Sequence, residues 1–109
     1  MQMQLAVSTY SLARWRSENG RSIEDSFDWI ADAGVGAVEV TGNVGGDGEA
    51  PLKRAAKLRK HADRRGLKIV GYCVGAELLA PAAQQRKAVD QLKKEVDVAE
   101  VLGVDSMRH

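Results

Sequence analysis

Six side chains suited to binding a polar small molecule occur at the ends of short apolar segments of the sequence, or close behind them. They combine two aromatic rings with a carboxylate, a thiol, a guanidinium and an imidazole: Tyr10, Trp15, Glu39, Cys73, Arg108 and His109. The polar groups can hydrogen-bond the oxygens of such a molecule, and the rings can cover its apolar face. This mixture indicates a polyhydroxylated ligand such as a sugar.

Glu39 is the most informative of these residues because its segment alternates. On an extended chain Ala37, Glu39 and Thr41 share one face, while Val38 and Val40 share the other. A buried carboxylate without a partner is costly, so Glu39 requires one. Either it orients a substrate hydroxyl or a metal-bound water, or a neighbouring arginine, lysine or backbone N–H satisfies it.

The other five residues also have more than one interpretation. Tyr10 and Trp15 form a wall for the ligand, or they pack on the rim of the fold. Arg108 binds a phosphate group or makes an ordinary salt bridge, and His109 is a metal ligand or a residue without a role. Cys73 has no histidine or cationic partner in the sequence, so we interpret it as a lining residue and not as a nucleophile.

Three amphipathic helices are predicted to position these residues. Each begins at a serine or proline, which suit the start of a helix, and ends at a glycine: Ser22 to Gly34, Pro51 to Gly66 and Pro81 to Gly103. Helical spacing predicts their inward faces, which are Ile23, Phe27 and Ile30 in the first helix, Leu52, Ala55, Ala56, Arg59 and Ala62 in the second, and Val89, Leu92, Val96 and Ala99 in the third.

Short segments rich in valine alternate with these helices and are predicted to be strands. They cover residues 5–8, 37–40, 68–74 and 104–107. The order βαβαβαβ implies a parallel sheet, and a spacing of about 32 to 35 positions between equivalent strand residues suits either a barrel or a doubly wound sheet. Residues 9–21, predicted as a loop, lack the glycine-rich phosphate turn of the doubly wound fold, which favours the barrel.

Two further patterns have plain interpretations. Residues 42–48 are rich in glycine but lack the Gly-Lys-Ser/Thr ending of a phosphate loop, so we interpret them as a flexible loop at the barrel mouth. The basic residues of the second predicted helix, together with His61, are expected to face water.

The composition excludes several classes of function. The 109 residues carry 16 basic and 15 acidic side chains, and this balance argues against nucleic acid as a partner. The N-terminal segment has neither a basic region nor a long apolar run, so we expect no signal peptide and no membrane partner. The single cysteine cannot form an internal disulfide and predicts a reducing compartment. We therefore expect a cytoplasmic domain.

Residues 5–12 (LAVSTYSL), 36–40 (GAVEV) and 102–109 (LGVDSMRH) resemble the sugar phosphate isomerase/epimerase family. That family has the xylose isomerase-like TIM barrel and is related to hydroxypyruvate isomerases, ketose 3-epimerases and endonuclease IV. The resemblance covers essentially the whole chain. It implies an α/β fold, namely a partial (β/α)8 TIM barrel with parallel strands and helices on one face.

The resemblance also implies a function. It points to a metal-dependent isomerase or epimerase that transfers a proton next to the carbonyl of a sugar or sugar phosphate. The divalent metal (Mn, Mg, Co or Zn) would be held by Glu, Asp, His and Glu from strands after the fourth, so we expect no metal on this chain. Its part would be the substrate side, built from Tyr10, Trp15, Glu39, Cys73 and Arg108, with His109 as a candidate metal ligand.

Two alternatives remain open. An endonuclease IV-like zinc nuclease of the same fold would use His109, but it would require histidine where Glu39 and Cys73 stand. A non-catalytic binding or assembly module would use the sheet surface instead.

A complete barrel takes about 250 residues, more than this chain contains. Residues 1–109 supply three βα units and a fourth strand, so we expect them to be the N-terminal part of the domain, without its C-terminal half. The metal ligands that the resemblance implies would lie in the absent half, which predicts that the chain alone is inactive. The edges of such a sheet lack partners, which allows self-association through those edges.

Overall fold

The computed structural model describes residues 5–42, 44, 49–75 and 81–108. The elements follow in the order β1 (Ala6–Ser8), a 3-10 turn (Thr9–Leu12), α1 (Ala13–Asn19), α2 (Ile23–Asp32), β2 (Ala37–Thr41), α3 (Pro51–Arg64), β3 (Lys68–Cys73), α4 (Ala82–Leu102) and β4 (Met107–Arg108).

The four described strands form one parallel sheet in the order β1-β2-β3-β4. This arrangement confirms the predicted α/β fold class and is consistent with a partial barrel. One hydrophobic core lies between the strands and helices α2 to α4. Its largest fully buried apolar side chains are Tyr72, Phe27, Ile30, Leu58, Leu102, Val38, Val40 and Val98.

The helix boundaries agree with the local sequence signals. The Ser22 hydroxyl accepts a hydrogen bond from the Asp25 N–H, and the Asp25 carboxylate accepts one from the Ser22 N–H, which closes a capping box. Pro51 occupies the first turn of α3. Gly66 and Gly103 have φ angles of 70° and 77°, a conformation that glycine adopts without strain.

The loop predicted over residues 9–21 contains helical structure instead. A 3-10 turn follows β1 directly and leads into the seven-residue helix α1. The Ser8 hydroxyl starts the turn by accepting a hydrogen bond from the Tyr10 N–H at 3.2 Å. Gly20, with a φ angle of 61°, ends the helix. The apolar periodicity missed this helix because none of its residues is fully buried.

The inward faces of α3 and α4 differ from the prediction. In α3 the buried residues are Ala55, Leu58 and Ala62, and Leu52 is exposed. In α4 the predicted Val89 and Val96 are 41% and 47% exposed, while the buried residues are Glu95, Val98, Ala99 and Leu102. The prediction selected aliphatic residues, but α4 is rotated so that a carboxylate enters the core, where Tyr72 hydrogen-bonds it.

The fourth strand begins later than predicted and covers Met107–Arg108. The predicted first residue, Val104, is bound to the C-terminal end of α4 instead, because its N–H donates to the Ala99 carbonyl at 3.3 Å. This bond follows the left-handed Gly103, whose own N–H donates to the same carbonyl at 3.0 Å.

A bulge in β3 changes which side chains face the helices. Val38 pairs with Ile69, but Glu39 pairs with Gly71, so Val70 is an extra residue without a counterpart on β2. Beyond the bulge, Tyr72 is buried in the core beside the helices. Simple alternation along β3 therefore cannot assign its faces.

The basic face of α3 is not simply solvated, as the sequence suggested. Acidic residues one turn apart on α2 pair with basic residues of α3 and with the residue that follows α3. The pairs are Glu24 with Arg54, Asp28 with His61 (2.8 Å), Asp28 with Arg65 (3.1 Å) and Asp32 with Arg65. His61 was expected to face water, but its ring instead packs near Phe27 and bonds Asp28 because α2 covers this side of α3.

None of the helices in the described part of the chain has the length and apolar character needed to cross a bilayer.

Candidate functional site

The C-terminal ends of the parallel strands surround a cleft of about 540 Å³. This is the end of a parallel barrel at which active sites are built. The residues around the cleft are mainly polar or small: Ser8, Tyr10, Glu39, Thr41, Gly42, Cys73, Val74, Gly75 and Arg108.

Glu39 and Arg108 face each other across this cleft. Glu39 belongs to β2 and Arg108 to β4, so β3 lies between them. At Gly71 of β3, where a side chain would otherwise project, the Glu39 carboxylate lies about 3.7 Å from the place of a β-carbon. Glu39 Oε1 thereby reaches to 3.6 Å from Arg108 Nη2. A β-carbon at position 71 would just contact the Glu39 side chain, and a larger side chain would crowd it.

The Glu39–Arg108 pair is loose and accessible. At 3.6 Å its two atoms are too far apart for a good hydrogen bond, and the Arg108 side chain is 72% exposed. An exposed ion pair of this kind contributes about 0 to 1 kcal/mol to stability. Both side chains therefore remain available to hydrogen-bond a ligand.

The 3-10 turn that follows β1 is held by a partly buried hydrogen-bond cluster. The Thr9 hydroxyl lies 3.1 Å from the Thr41 hydroxyl and accepts a hydrogen bond from the Thr41 N–H at 3.0 Å. The Arg16 guanidinium donates to the Thr9 carbonyl at 2.7 Å and to the Ser26 hydroxyl at 2.9 Å. Partial burial lowers the pKa of Arg16 below its usual value. These bonds join the 3-10 turn after β1 to β2, α1 and α2, and Thr41 of this cluster also lines the cleft.

The structure brings together four of the six residues selected from the sequence. Tyr10, Glu39, Cys73 and Arg108 all line the cleft, and the Tyr10 side chain is 76% exposed there. Trp15 lies on α1 and is not among the cleft residues of the described chain. His109, the candidate metal ligand, lies outside the described residues.

The described residues do not fit a divalent metal by themselves. Across residues 5–42, 44, 49–75 and 81–108, no group of three or more His, Cys, Asp or Glu side chains could hold a metal ion. In the cleft, Glu39 and Cys73 are the side chains of these four types, and two donors of different character do not define a site. No step of the chemistry can therefore be assigned to a metal on these residues.

No role was predicted from the sequence for Thr9, Arg16, Tyr72 and Glu95, which the structure places in hydrogen-bond networks. Thr9 is polar and fully buried, and no spacing pattern marks it. Glu95 did leave a signal, because it lies three residues after Leu92 and three before Val98, within the apolar positions of α4. A carboxylate at such a position predicts a buried polar partner.

The fold and the cleft define a parallel α/β protein built as part of a barrel, with its site at the strand ends. Residues 27–109 match the family model described as xylose isomerase-like TIM barrel. The chain belongs to this family, and the resemblance found in the sequence is confirmed.

The solved structure of a sugar phosphate isomerase/epimerase from Parabacteroides distasonis has a similar fold, with a TM-score of 0.66 and 20% sequence identity. The match covers 96% of this chain and 38% of that chain, so this chain spans less than half the length of the solved protein. At this level of identity the likeness shows the fold. No curated protein matches the chain by sequence.

Proposed function

We propose that this chain forms the substrate side of a sugar or sugar-phosphate isomerase or epimerase, an enzyme that transfers a proton next to a carbonyl. The observation that carries the proposal is the accessible Glu39–Arg108 pair at the strand ends of a xylose isomerase-like barrel. The structurally similar protein from Parabacteroides distasonis is named a sugar phosphate isomerase/epimerase, which supports the same class.

Each cleft residue has a role that fits this substrate. Arg108 supplies several N–H donors, which bind a carbonyl oxygen or a phosphate group. Glu39 accepts hydrogen bonds from sugar hydroxyls, and the exposed Tyr10 ring covers the apolar face of the sugar. The Cys73 side chain forms another part of the cleft wall. Together these residues hold the substrate oxygens in one orientation at the mouth of the barrel.

A divalent metal (Mn, Mg, Co or Zn) is part of the proposal for the full-length enzyme. Its ligands would come from strands beyond β4, because the described cleft does not provide them. We therefore propose that this chain alone binds substrate oxygens but does not catalyse the reaction. We also propose a soluble sugar or sugar phosphate, and neither nucleic acid nor membrane, as the partner of the cleft.

The direct test is exchange of substrate hydrogen with deuterium. The complete gene product would be incubated in D2O with Mn²⁺ or Co²⁺ and a panel of ketoses and ketose phosphates, and deuterium at the carbons beside the carbonyl would be followed by NMR. Glu39→Gln is expected to lower the exchange rate roughly 100-fold, because a misplaced substrate loses that much. Glu100→Gln, at an exposed position of α4, is the matched control. Absence of exchange with every sugar would contradict the proposal.

The nuclease alternative receives no support from the described residues. A nuclease of this kind requires histidines at several strand ends. His61 lies instead in α3, where it pairs with Asp28 of α2. Incubation of the protein with Zn²⁺ and a duplex containing an abasic site is expected to leave the DNA intact, and cleavage would favour the nuclease instead.

One observation favours a second candidate, an assembly module. Within the described sheet, β1 and β4 each pair on one side only, and Leu5 beside β1 is 70% exposed. Such edges pair readily with a second copy. Sedimentation equilibrium would show a discrete dimer, which Leu5→Lys should weaken. A wild-type chain that remains monomeric at about 100 μM would contradict self-association, since dimers with micromolar Kd would form there.

A further inference from the structure

A tyrosine and a glutamate form a buried pair on the helix side of the sheet. The Tyr72 hydroxyl of β3 donates to Glu95 Oε2 of α4, and both residues are no more than 3% exposed. Gln91, one turn earlier in α4, donates its side-chain N–H to Glu95 Oε1 at 3.0 Å. Both donors are neutral, so a carboxylate is held in the core by hydrogen bonds from a hydroxyl and an amide.

The same hydroxyl also holds a backbone group from the connection between β2 and α3. The Val44 N–H donates to the Tyr72 oxygen at 3.2 Å, and the Val44 side chain is buried in the core. Because an N–H can only donate, the Tyr72 oxygen must accept, and its single proton is left for Glu95. The directions of all three hydrogen bonds are therefore determined. The Val44 N–H depends on Tyr72, and the hydroxyl is oriented by Glu95.

The anchored connection lies beside the cleft. Gly42 lines the cleft, and its N–H donates to the Cys73 carbonyl at 2.9 Å. Two points of the connection, Gly42 and Val44, are thus bound to two successive residues of β3, Cys73 and Tyr72. Gly42, directly after β2, has a φ angle of 83°, a conformation that glycine adopts without strain. The other residues of the predicted glycine-rich loop, 43 and 45–48, lie outside the described residues.

Stability alone does not account for the polar pair. Burying a carboxylate is costly even when it is hydrogen-bonded, and apolar side chains of similar size in such positions are often as stable or more stable. Phenylalanine at position 72 and methionine at position 95 would fill similar space, but they could not accept a hydrogen bond from the Val44 N–H.

We propose that Tyr72 and Glu95 are positioning residues that fix the backbone of Val44, and through it the position of Gly42 at the edge of the cleft. They act through Val44 and Gly42 and do not touch the ligand. The positioning itself follows from the geometry, whereas its effect on sugar binding rests on the proposed function.

The first test measures the protection of the Gly42 amide from hydrogen exchange, without any ligand. The double variant Tyr72→Phe/Glu95→Met removes the hydroxyl and the carboxylate together, so the core stays apolar and folded. Amide hydrogen exchange would be followed at Gly42. The variant does not remove the acceptor of the Gly42 N–H, which is the Cys73 carbonyl. Faster exchange at Gly42 would therefore show that the loss of the Val44 anchor has loosened its neighbour. We expect Gly42 to exchange at least 10-fold faster in the double variant. Unchanged exchange at Gly42 would overturn the proposal.

Leu102→Ala provides the matched control. Leu102 lies near the opposite end of the sheet, beside Leu67 and Gly103, and its truncation destabilises the core without touching Val44. It should leave Gly42 protection unchanged under conditions where the fold remains intact. If Leu102→Ala accelerated hydrogen exchange at Gly42 as much as the double variant did, a general loss of stability would explain the faster exchange and the proposal would fail.

The second test measures ligand binding to the full chain, with D-fructose and D-fructose 6-phosphate as probes and the amide signals of Glu39 and Arg108 as readout. The double variant should bind at least 10-fold more weakly than wild type, and Leu102→Ala should not. Glu95→Gln should largely retain binding, since its amide oxygen can still accept the Tyr72 proton. Equal affinity in wild type and the double variant would overturn the effect on binding. If wild type bound neither sugar, the proposed function would be weakened, and Gly42 exchange would still decide the positioning role.

Discussion

The Glu39 carboxylate crosses over Gly71 and approaches the Arg108 guanidinium to 3.6 Å, so that residues from the second and fourth strands meet above the third. This relationship makes Gly71 a determinant of the cleft, although glycine itself has no functional group. The geometry of the cleft therefore depends on the size of the residue at position 71.

A larger residue at position 71 should reduce sugar affinity more than it reduces the stability of the fold. A β-carbon at this position would lie 3.5 Å from the Ser106 hydroxyl and 3.7 Å from Glu39 Oε2, which are ordinary contacts. Gly71→Ala should therefore change stability by no more than about 1 kcal/mol. Gly71→Val adds methyl groups where the Glu39 side chain lies and should reduce sugar affinity at least 10-fold. Denaturant unfolding and sugar titration of both variants would check this, and full affinity in Gly71→Val would contradict it.

Removing the Tyr72 hydroxyl alone should cost stability. Tyr72→Phe leaves the Val44 N–H and one oxygen of Glu95 without their partner, and an unsatisfied buried polar group costs about 1 to 3 kcal/mol. The expected loss is about 2 kcal/mol by denaturant unfolding. Tyr10→Phe removes the same atom from an exposed ring and should change stability by less than about 0.5 kcal/mol. Similar losses in the two variants would argue against the buried network.

Acid should weaken the contact between α2 and α3 through Glu24. The hydrogen bond from Arg54 lowers the pKa of Glu24, so its stabilising contribution is present above the unfolded pKa of about 4.3. That contribution is lost as the pH falls through the lower pKa of the folded state. Glu24→Gln should therefore be less stable than wild type at pH 7, and the difference should shrink towards pH 3. The free energies of unfolding at both pH values would show this.

Glu18→Gln is the control for that series. Glu18 pairs with Arg14 at 2.9 Å on the exposed surface of α1, and such a pair contributes roughly 0.3 to 0.5 kcal/mol. A pH-dependent loss in Glu18→Gln as large as that in Glu24→Gln would mean that the Arg54 pair has no special role.

Ser22→Ala should destabilise the start of α2. The substitution removes the hydroxyl that accepts from the Asp25 N–H at 3.2 Å, and loss of such a cap costs about 1 kcal/mol. Ser17→Ala, within α1 at an exposed position, should stay within about 0.5 kcal/mol of wild type. Thermal unfolding of the two variants provides the comparison, and an unchanged Tm for Ser22→Ala would contradict the cap.

The sequence by itself determined the features that depend on neighbours along the chain. The Ser22 cap, Pro51 at the start of α3 and the left-handed glycines at the helix ends all rest on hydrogen bonds or backbone preferences within a few residues. The order of strands and helices followed from these boundaries, and the parallel sheet followed from the order. Glu39 could be assigned to the cleft side of β2 because Val38 and Val40 are buried on the other face, as their alternation with Glu39 predicts.

Only the tertiary structure decided the features that require residues distant in sequence to meet. The bulge at Val70 turned Tyr72 towards the helices, and the rotation of α4 buried Glu95 against it. Acidic side chains of α2 paired with basic ones that looked solvated on α3 alone. Local patterns cannot specify these contacts, because a side chain's burial depends on which element packs over it, and that packing is set by the whole core.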